Sequence, residues 1–230
     1  SPYQDEEQLT RAQFADLNLL NDPSNLQRYE EYGPALYMPH AYRSDVHYPR
    51  SGPVNPKLAA DLTFVGTAFK SRIEFFEAMD FGNLDVLIGG GDWNEYLDKD
   101  SPLRKYLDQE QSCVDNTETA ELYRHAKSGI NVYRRESEDA HTGEGWAMGP
   151  REVEMAATNL FFLRDPRPEG DQVLSMLPTF ATPEDASEQL HWWLAHDAER
   201  EERAREARAA IIDRTFLSNA RHLLRVLDEL

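Results

Sequence analysis

The feature that most constrains the fold is a strand, a glycine-bearing loop and a helix that follow one another in the second half of the chain. An apolar run over residues 129–133 is typical of a buried strand, and a helix is predicted for residues 150–158. Between them lie Gly143, Gly145 and Gly149. Such a loop directs free backbone N–H groups and the positive end of the helix dipole at one point, which favours a phosphate or diphosphate ligand.

Two charged side chains follow at the start of the predicted helix. Arg151 and Glu154 are three residues apart, so they share one face of the helix, and Lys127, Arg134 and Arg135 precede the glycine loop. A guanidinium beside the phosphates and a carboxylate one turn further on would suit a nucleoside diphosphate, with Arg151 on phosphate oxygens and Glu154 on the ribose hydroxyls. A glycine-rich surface loop followed by a surface ion pair is the alternative interpretation.

Strands alternate with helices over the middle of the chain. Strands are predicted at residues 61–65, 84–88, 129–133 and 160–163, and helices at 71–79, 118–127 and 150–158. This alternation predicts an α/β fold, a Rossmann-like parallel sheet with crossover helices. Residues 92–111 are polar and irregular, and we expect at most one short surface helix there.

The composition divides the chain into two parts of unequal length. Residues 1–48 carry a helix, two short strands and a second helix that starts after Asp22. Residues 49–56 hold three prolines, which is typical of a linker. We therefore predict a boundary at this linker and a second, larger domain over residues 57–230.

The predicted tail is helical. Thr182 is an N-cap in front of Pro183 and two acidic residues, which predicts a helix start. A charged second helix is predicted over residues 198–214, and a third over 216–227. The second helix offers only three apolar residues for packing: Ala207, Ala210 and Ile211.

Composition and charge exclude several classes of protein. The 230 residues contain no apolar run long enough for a membrane helix, which needs about 18 residues, and no signal peptide is recognised in residues 1–25. The net charge of −18 argues against a broad nucleic-acid surface. Cys113 is the single cysteine and favours a reducing compartment, so we expect a cytoplasmic protein.

Two further patterns are weak. The seven histidines show no pairing at zinc-ligand spacing, and we expect no metal cofactor. His40 is the most plausible functional histidine by its position near the predicted boundary, although a structural role is the more common outcome. Gly89, Gly90 and Gly91 lack a phosphate-loop pattern and predict a tight turn.

Several motifs in this order resemble the CgeB-type glycosyltransferases. The residues that carry the resemblance are Asp61-Leu-Thr-Phe-Val-Gly66 with Ser71-Arg72, Tyr123 and Lys127 before Gly129-Ile-Asn131 and Arg134, Arg151-Glu-Val-Glu154 with Ala157, and Asp165. The resemblance covers essentially the whole chain. It implies the GT-B architecture, in which two Rossmann-like domains face each other across a cleft and the C-terminal domain binds the nucleotide of a sugar donor.

The resemblance also implies which residues bind the donor: Gly66, Arg72, Lys127, Asn131, Arg134, Arg151 and Glu154. Glu154 would hold the ribose, and the basic side chains would face the diphosphate. The implied partners are a nucleotide-sugar donor and an unidentified acceptor. At Asn159 the family usually has glycine, which predicts a left-handed backbone that asparagine tolerates.

Residues 1–48 resemble only the last part of the family's N-terminal, acceptor-binding domain. We therefore expect this chain to bind donor but to transfer little sugar by itself, and the last helix to leave part of its apolar face uncovered. Two other functions stay open. The chain could be a non-catalytic nucleotide-sugar-binding or scaffold module, or a nucleotide-sugar epimerase, which can share the two-domain architecture.

Overall fold

The computed structural model describes residues 5–107, 115–136 and 145–229, with side chains from residue 7 onward. Gly143 and Cys113, both singled out from the sequence, lie outside the described residues. Within that part of the chain, no helix is long and apolar enough to span a membrane.

The N-terminal region is small and ends in a two-stranded parallel sheet. Its elements are α1 (Asp5–Ala12), β1 (Asn18–Leu20), α2 (Leu26–Glu30) and β2 (Ala35–Tyr37). Asp22 starts the turn of 3-10 helix before α2, and its side chain accepts a hydrogen bond from the backbone N–H of Ser24. β1 pairs with β2 in parallel. The elements predicted for this region are confirmed, with both helices shorter than the sequence indicated.

A four-stranded sheet forms the main part of the molecule. Its strands are β3 (Ala60–Val65), β4 (Val86–Gly89), β5 (Ala126–Asn131) and β6 (Phe161–Arg164). All its pairs are parallel, and the strands lie in the order β4, β3, β5, β6. The strands are short, and most of their residues are buried. Continuous apolar runs like those in the sequence are typical of parallel strands that helices cover on both faces.

The helices of this region connect the strands. They are α3 (Lys70–Ala78), α4 (Trp93–Tyr96), α5 (Asn116–His125), α6 (Pro150–Ala157) and α7 (Pro168–Val173). α3 joins β3 to β4, α5 precedes β5, and α6 joins β5 to β6. The predicted α/β fold with crossover helices is confirmed. Two short segments form where one was expected, since a 3-10 helix at Pro102–Tyr106 follows α4.

One helix boundary differs from the prediction and moves a charged residue. α5 was predicted to reach Lys127, but it ends at His125 and Lys127 is the second residue of β5. The side chain of Asp115 caps α5 by accepting a hydrogen bond from the N–H of Thr117 at 2.7 Å. Asp115 followed by Glu118 three residues later is a helix-start signature in the sequence, and the helix begins there. Strand pairing with β3 starts before the predicted end of the helix.

Three helices close the chain: α8 (Pro183–Leu194), α9 (Asp197–Ala210) and α10 (Phe216–Glu229). The predicted Thr182 cap of α8 is confirmed. α9 packs through Ala204, Ala207 and Ile211, whereas the predicted contact residue Ala210 is exposed. Ala204 and Ala207 are three residues apart and share a face with Ile211, and Ala210 points away from it.

α10 leaves its apolar face open. Of its residues none is buried, and the exposed fraction of Leu224 is 62%. The expectation of an uncovered apolar face is therefore confirmed. In a folded molecule, exposed apolar surface of this kind commonly marks a contact site.

A buried carboxylate ties the two regions together. Glu169 accepts hydrogen bonds from the hydroxyl of Tyr37 at 2.6 Å, from the guanidinium of Arg214 at 2.6 Å and from the N–H of Met148 at 2.9 Å. Because burying a carboxylate is costly unless it is paired and hydrogen-bonded, this arrangement fixes β2, the segment before α10 and the segment before α6 against one another.

Candidate functional site

The carboxyl ends of the four parallel strands meet at one edge of the sheet, called here the carboxyl edge. β3 ends beside Gly66 and β5 ends at Asn131, and in open α/β sheets this edge is where ligands bind. The backbones are very close at this edge. A Cβ on Gly90, whose φ is +113°, would lie 2.4 Å from the carbonyl oxygen of Gly66, so this approach requires glycine at position 90.

Two guanidinium groups are fixed at this edge by oxygen atoms that carry no net charge. Arg151, at the start of α6, donates to the carbonyl of Val65 at 2.6 Å and to the side-chain oxygen of Asn131 at 2.9 Å. Arg72 of α3 donates to the carbonyls of Val132 at 2.9 Å and Thr67 at 3.0 Å. Both groups therefore keep their positive charge while their positions are set.

Aromatic rings support the same cations. Arg151 and Arg72 lie over the ring of Phe64 at 5.2 and 5.5 Å, and Arg72 and Arg134 lie over Phe69 at 5.2 and 5.1 Å. Contacts at these distances are attractive and leave the guanidinium edges available for hydrogen bonds. The three guanidinium groups thus lie close together, and two of them, Arg72 and Arg151, are held by neutral oxygens.

The cluster surrounds an open cavity of about 390 Å³. Its lining residues are Gly66, Thr67, Phe69, Arg72, Asn131, Tyr133, Arg134, Gly149, Pro150, Arg151 and Arg167. A cavity of this size lies at the lower end of the range for small-molecule sites, which runs from about 300 to 1,000 Å³. Five of the seven donor-binding residues expected from the sequence line it, so the structure brings them together.

The electrostatics of the cavity favour an anion. Burial, followed by the positive charge of Arg151, lowers the pKa of Arg72 to about 9. A guanidinium whose charge is disfavoured to this degree is stabilised when an anion enters beside it. The carboxylates of Asp165 and Glu136 lie near the cluster, but Asp165 pairs with Arg135 at 2.7 Å and Glu136 hydrogen-bonds to Ser71.

The amino end of α6 borders the same cavity. The N–H of Gly149 donates to the hydroxyl of Tyr133 at 2.6 Å and to the carboxylate of Glu152 at 2.8 Å. Tyr133 also makes a short hydrogen bond to Glu152, which is fully buried. Burial raises the pKa of Glu152 to about 7, although its hydrogen bonds and the nearby arginines oppose that shift. The predicted loop-to-helix start is thus present, with one of its N–H groups already bonded inside the protein.

Glu154 lies one turn further along α6 and does not line this cavity. Its carboxylate oxygen Oε1 is 4.0 Å from Nε2 of His47, and 18% of its side chain is exposed. Burial raises the pKa of Glu154, and the charge of Arg151 opposes that shift. Glu154 therefore borders the cluster on the side of the buried residues His47 and Tyr123.

The structure does not bring Lys127 to the cluster. Lys127 is the second residue of β5 and lies at the opposite edge of the sheet, the amino edge, where its ammonium pairs with Asp61 at 2.7 Å. It borders a second cavity of about 350 Å³, together with Arg124 and Arg200. The length of β5 separates this residue from Asn131, which lies at the other end of the same strand.

Several residues at the site were missed by the sequence analysis. Thr67, Phe69, Tyr133 and Arg167 line the cavity, and His47 lies beside Glu154. Thr67 and Phe69 could have been found from their place in the turn between β3 and α3, and Tyr133 from its place at the end of a predicted strand. Arg167 and His47 carry no local signal, because their approach depends on tertiary packing.

The structure also tests the weaker patterns. His40 hydrogen-bonds to the side chain of Asn21 at 2.7 Å and has no place in the cavity. Gly90 forms the predicted turn, and Asn159 has the predicted left-handed backbone, with φ of 63°. Among the described residues, no cluster of three His, Cys, Asp or Glu side chains is arranged to hold a metal ion.

Comparison with known proteins supplies the wider context. The profile of the family described as "Glycosyl transferase-like" matches residues 72–225. A sucrose-phosphate synthase from Thermosynechococcus elongatus superposes with a TM-score of 0.68 at 16% identity, over 98% of this chain and 62% of that one. No curated protein sequence matches the chain.

Two further similar structures contain nucleotide. HepE of Anabaena, in complex with UDP and glucose, has a TM-score of 0.70 at 9% identity, over 100% of this chain and 69% of HepE. A trehalose-6-phosphate structure from E. coli bound with UDP-2-fluoro glucose has a TM-score of 0.68 at 12% identity, over 99% of this chain and 64% of the other. At these identities the likeness shows the fold.

Proposed function

This chain belongs to the glycosyl transferase-like family, and from that premise we propose that it binds a nucleoside diphosphate sugar at the carboxyl edge and donates its sugar to an acceptor. The observation that carries the proposal is the pair Arg72 and Arg151, which neutral oxygens hold in place at the cavity. The finer assignment, a CgeB-type enzyme, rests on the motifs given above.

The proposed binding mode follows from the positions of the side chains. The guanidinium groups of Arg72, Arg134 and Arg151 would donate hydrogen bonds to the diphosphate oxygens. The side-chain nitrogen of Asn131 has no hydrogen-bond partner among the described residues, and it would donate to a neighbouring oxygen. Glu154, one helical turn from Arg151, would accept hydrogen bonds from the ribose hydroxyls. Lys127 is left out of this proposal because of its place at the amino edge.

The role of the cluster in transfer would be electrostatic. When the sugar leaves, negative charge develops on the diphosphate, and fixed guanidinium groups stabilise that charge without having to reorganise. The amino end of α6 adds a favourable dipole at the same place. We propose that this arrangement replaces a divalent ion, so that donor binding needs no metal.

The proposed domain arrangement keeps the boundary at residues 49–56. Residues 57–230 would form the donor-binding domain, and residues 1–48 would belong to the acceptor side. The chain spans 62% of the length of the sucrose-phosphate synthase. Sugar transfer by a whole two-domain enzyme is therefore a proposal that rests on family membership. In a two-domain enzyme of this architecture, the closed cleft would exclude water and align the acceptor.

Calorimetry with UDP and GDP in excess chelator tests the proposal. We expect one of the two to bind with a stoichiometry of one, and Arg72→Met to weaken that binding. Binding that requires added magnesium or manganese would contradict the metal-free mode, and absence of binding by both would contradict the site.

Product analysis separates the alternative functions. A glycoside product formed from donor and acceptor supports a transferase. Release of a free epimerised sugar identifies an epimerase, and tight donor binding without turnover by the intact protein supports a scaffold module.

A further inference from the structure

His47 is a buried imidazole without a hydrogen-bond partner. Its exposed fraction is 3%, and among the described residues neither ring nitrogen has a hydrogen-bond partner. A buried polar group without a hydrogen-bond partner is destabilising, so each one in a folded protein calls for a structural or functional explanation. His47 is such a group.

The carboxylate of Glu154 lies close to the ring of His47. Nε2 of His47 and Oε1 of Glu154 are 4.0 Å apart, which is about 1 Å too long for a hydrogen bond. The 18% exposure of the Glu154 side chain contrasts with 2% for that of His47. Glu154 thus lies on the open side of the pair, and His47 lies behind it.

The protonation of the pair favours a single direction of hydrogen bonding. Burial is the largest cause of a lowered pKa at His47, and it outweighs the backbone of Arg43, which acts to raise that pKa. The ring is therefore neutral near pH 7 and carries one N–H. A carboxylate has about four acceptor positions, and a vicinal diol occupies two of them. The remaining positions of Glu154 can accept the N–H of His47.

We propose that His47 is a positioning residue for Glu154 in the nucleotide complex. When the ribose diol engages Glu154, the carboxylate moves by about 1 Å and His47 donates its Nε2–H to Oε1, since hydrogen bonds at sites of this kind often tighten only when ligand is bound. The contact turns the carboxylate edge toward the two hydroxyls. This inference rests on the proposed nucleotide binding, and it adds a specificity residue from outside α6.

The expected consequence is selectivity for ribose. With His47 in place, a nucleoside diphosphate should bind about tenfold or more tightly than its 2′-deoxy analogue, because a charged group left without one of its hydrogen bonds weakens binding by that order. Without the N–H of His47, Glu154 is less well oriented. The ribonucleotide should then lose affinity while the deoxy analogue changes little.

The test measures dissociation constants of UDP, GDP and their 2′-deoxy forms for three variants of the whole chain. His47→Phe removes the N–H and keeps a ring, and His47→Gln keeps a donor near the position of Nε2. His40→Phe is the matched control, since His40 is another largely buried histidine of the same segment that contacts Asn21 instead of Glu154. Thermal melting establishes that each variant is folded.

We expect His47→Phe to weaken the ribonucleotide about tenfold with less than a twofold change for the deoxy form, and His47→Gln to restore most of the preference. Equal weakening of both forms would show a packing role and overturn the proposal, as would an unchanged preference. If His47→Phe does not fold, an unchanged preference in His47→Asn, which lacks a donor at the Nε2 position, has the same meaning. Absence of diphosphate binding by the parent chain would instead contradict the proposed function itself.

Discussion

The two edges of the four-stranded sheet carry similar numbers of cations but hold them in different ways. At the carboxyl edge, Arg72 and Arg151 are fixed by carbonyl and amide oxygens. At the amino edge, three cations pair with carboxylates within 2.7 Å: Lys127 with Asp61, Arg124 with Glu121 and Arg200 with Asp197. Both edges border a cavity of a few hundred cubic ångströms.

The difference shows that the number of basic residues does not identify an anion site. A cation paired with a carboxylate contributes little net field, whereas a guanidinium held by neutral groups retains its charge for a ligand. In a chain with net charge −18, carboxylates are plentiful, so the absence of such pairs for Arg72 and Arg151 within the described residues is informative. The comparison predicts that substitutions at the two edges will have unequal effects.

The largest effect is expected for Gly90→Ala. Gly90 has a φ of +113°, and its Cβ would meet the carbonyl oxygen of Gly66 at 2.4 Å. Left-handed strain and overpacking together should lower the free energy of unfolding by about 3–5 kcal/mol. Gly52→Ala is the matched control, because Gly52 has a φ of +109° with nothing within 4 Å of the added Cβ. Urea denaturation giving equal losses for both variants would show that the close approach at the carboxyl edge is not required.

The second effect concerns ligand binding. Arg151→Ala should weaken nucleoside diphosphate binding by about 2–3 kcal/mol, which is the contribution of hydrogen bonds to a charged group. Lys127→Ala should change it by less than about 0.5 kcal/mol, because its charge is paired at the other edge. Calorimetry gives both values. Comparable weakening in the two variants would break the contrast and return Lys127 to the donor site.

The third effect depends on pH and has opposite signs at the two edges. Burial raises the pKa of Glu152 to about 7. The contribution of this raised pKa to the free energy of unfolding is fully present below pH 4.5 and is lost as pH rises through 7. The unfolding free energy of Glu152→Gln, relative to the parent, should therefore rise by about 2 kcal/mol between pH 5 and pH 8.

Glu121 at the amino edge supplies the contrasting sign. A hydrogen bond from Arg124 is the first cause that lowers the pKa of Glu121. The contribution of this carboxylate is therefore present above its ordinary pKa and is lost as pH falls through the lowered value. Relative to the parent, Glu121→Gln should lose stability as pH rises from 3 to 6. Parallel pH profiles for Glu152→Gln and Glu121→Gln would contradict the assignment of their environments.

The smallest effect is expected for the exposed ion pair of the amino edge. Lys127→Met should lower the free energy of unfolding by less than about 1 kcal/mol, since exposed pairs contribute little. The difference from the parent should shrink further in 0.5 M salt. A larger loss that salt does not reduce would mean that Lys127 has a packing role through its aliphatic chain.

Local patterns identified the fold, and the resemblance to a known family supplied most of the cavity residues. Apolar strand runs, the Asp115 and Thr182 caps and the alternation of strands with helices are readable over short windows, and each is confirmed. The carboxyl ends of parallel strands meet by topology. This topology explains why Gly66 and Asn131, which the resemblance singles out, lie together at the ends of β3 and β5.

The errors have tertiary causes. The sequence around Lys127 continues a helical pattern, but pairing of β5 with β3 converts its last residues to strand and places the side chain at the amino edge. His47 and Glu154 are far apart in sequence, so no local signal could join them. His40, for which a structural role was the more common expectation, contacts Asn21 and does not line the cavity.

Hydrogen exchange with and without a nucleoside diphosphate tests the central claim most directly. The claim is that the carboxyl edge, with its guanidinium groups held by neutral oxygens, binds the diphosphate. It predicts slower exchange on ligand addition in residues 65–72, 131–135 and 149–154, with residues 124–127 and 200–205 unchanged. Protection confined to the amino edge, or no protection at either edge with saturating UDP and GDP, would contradict the claim.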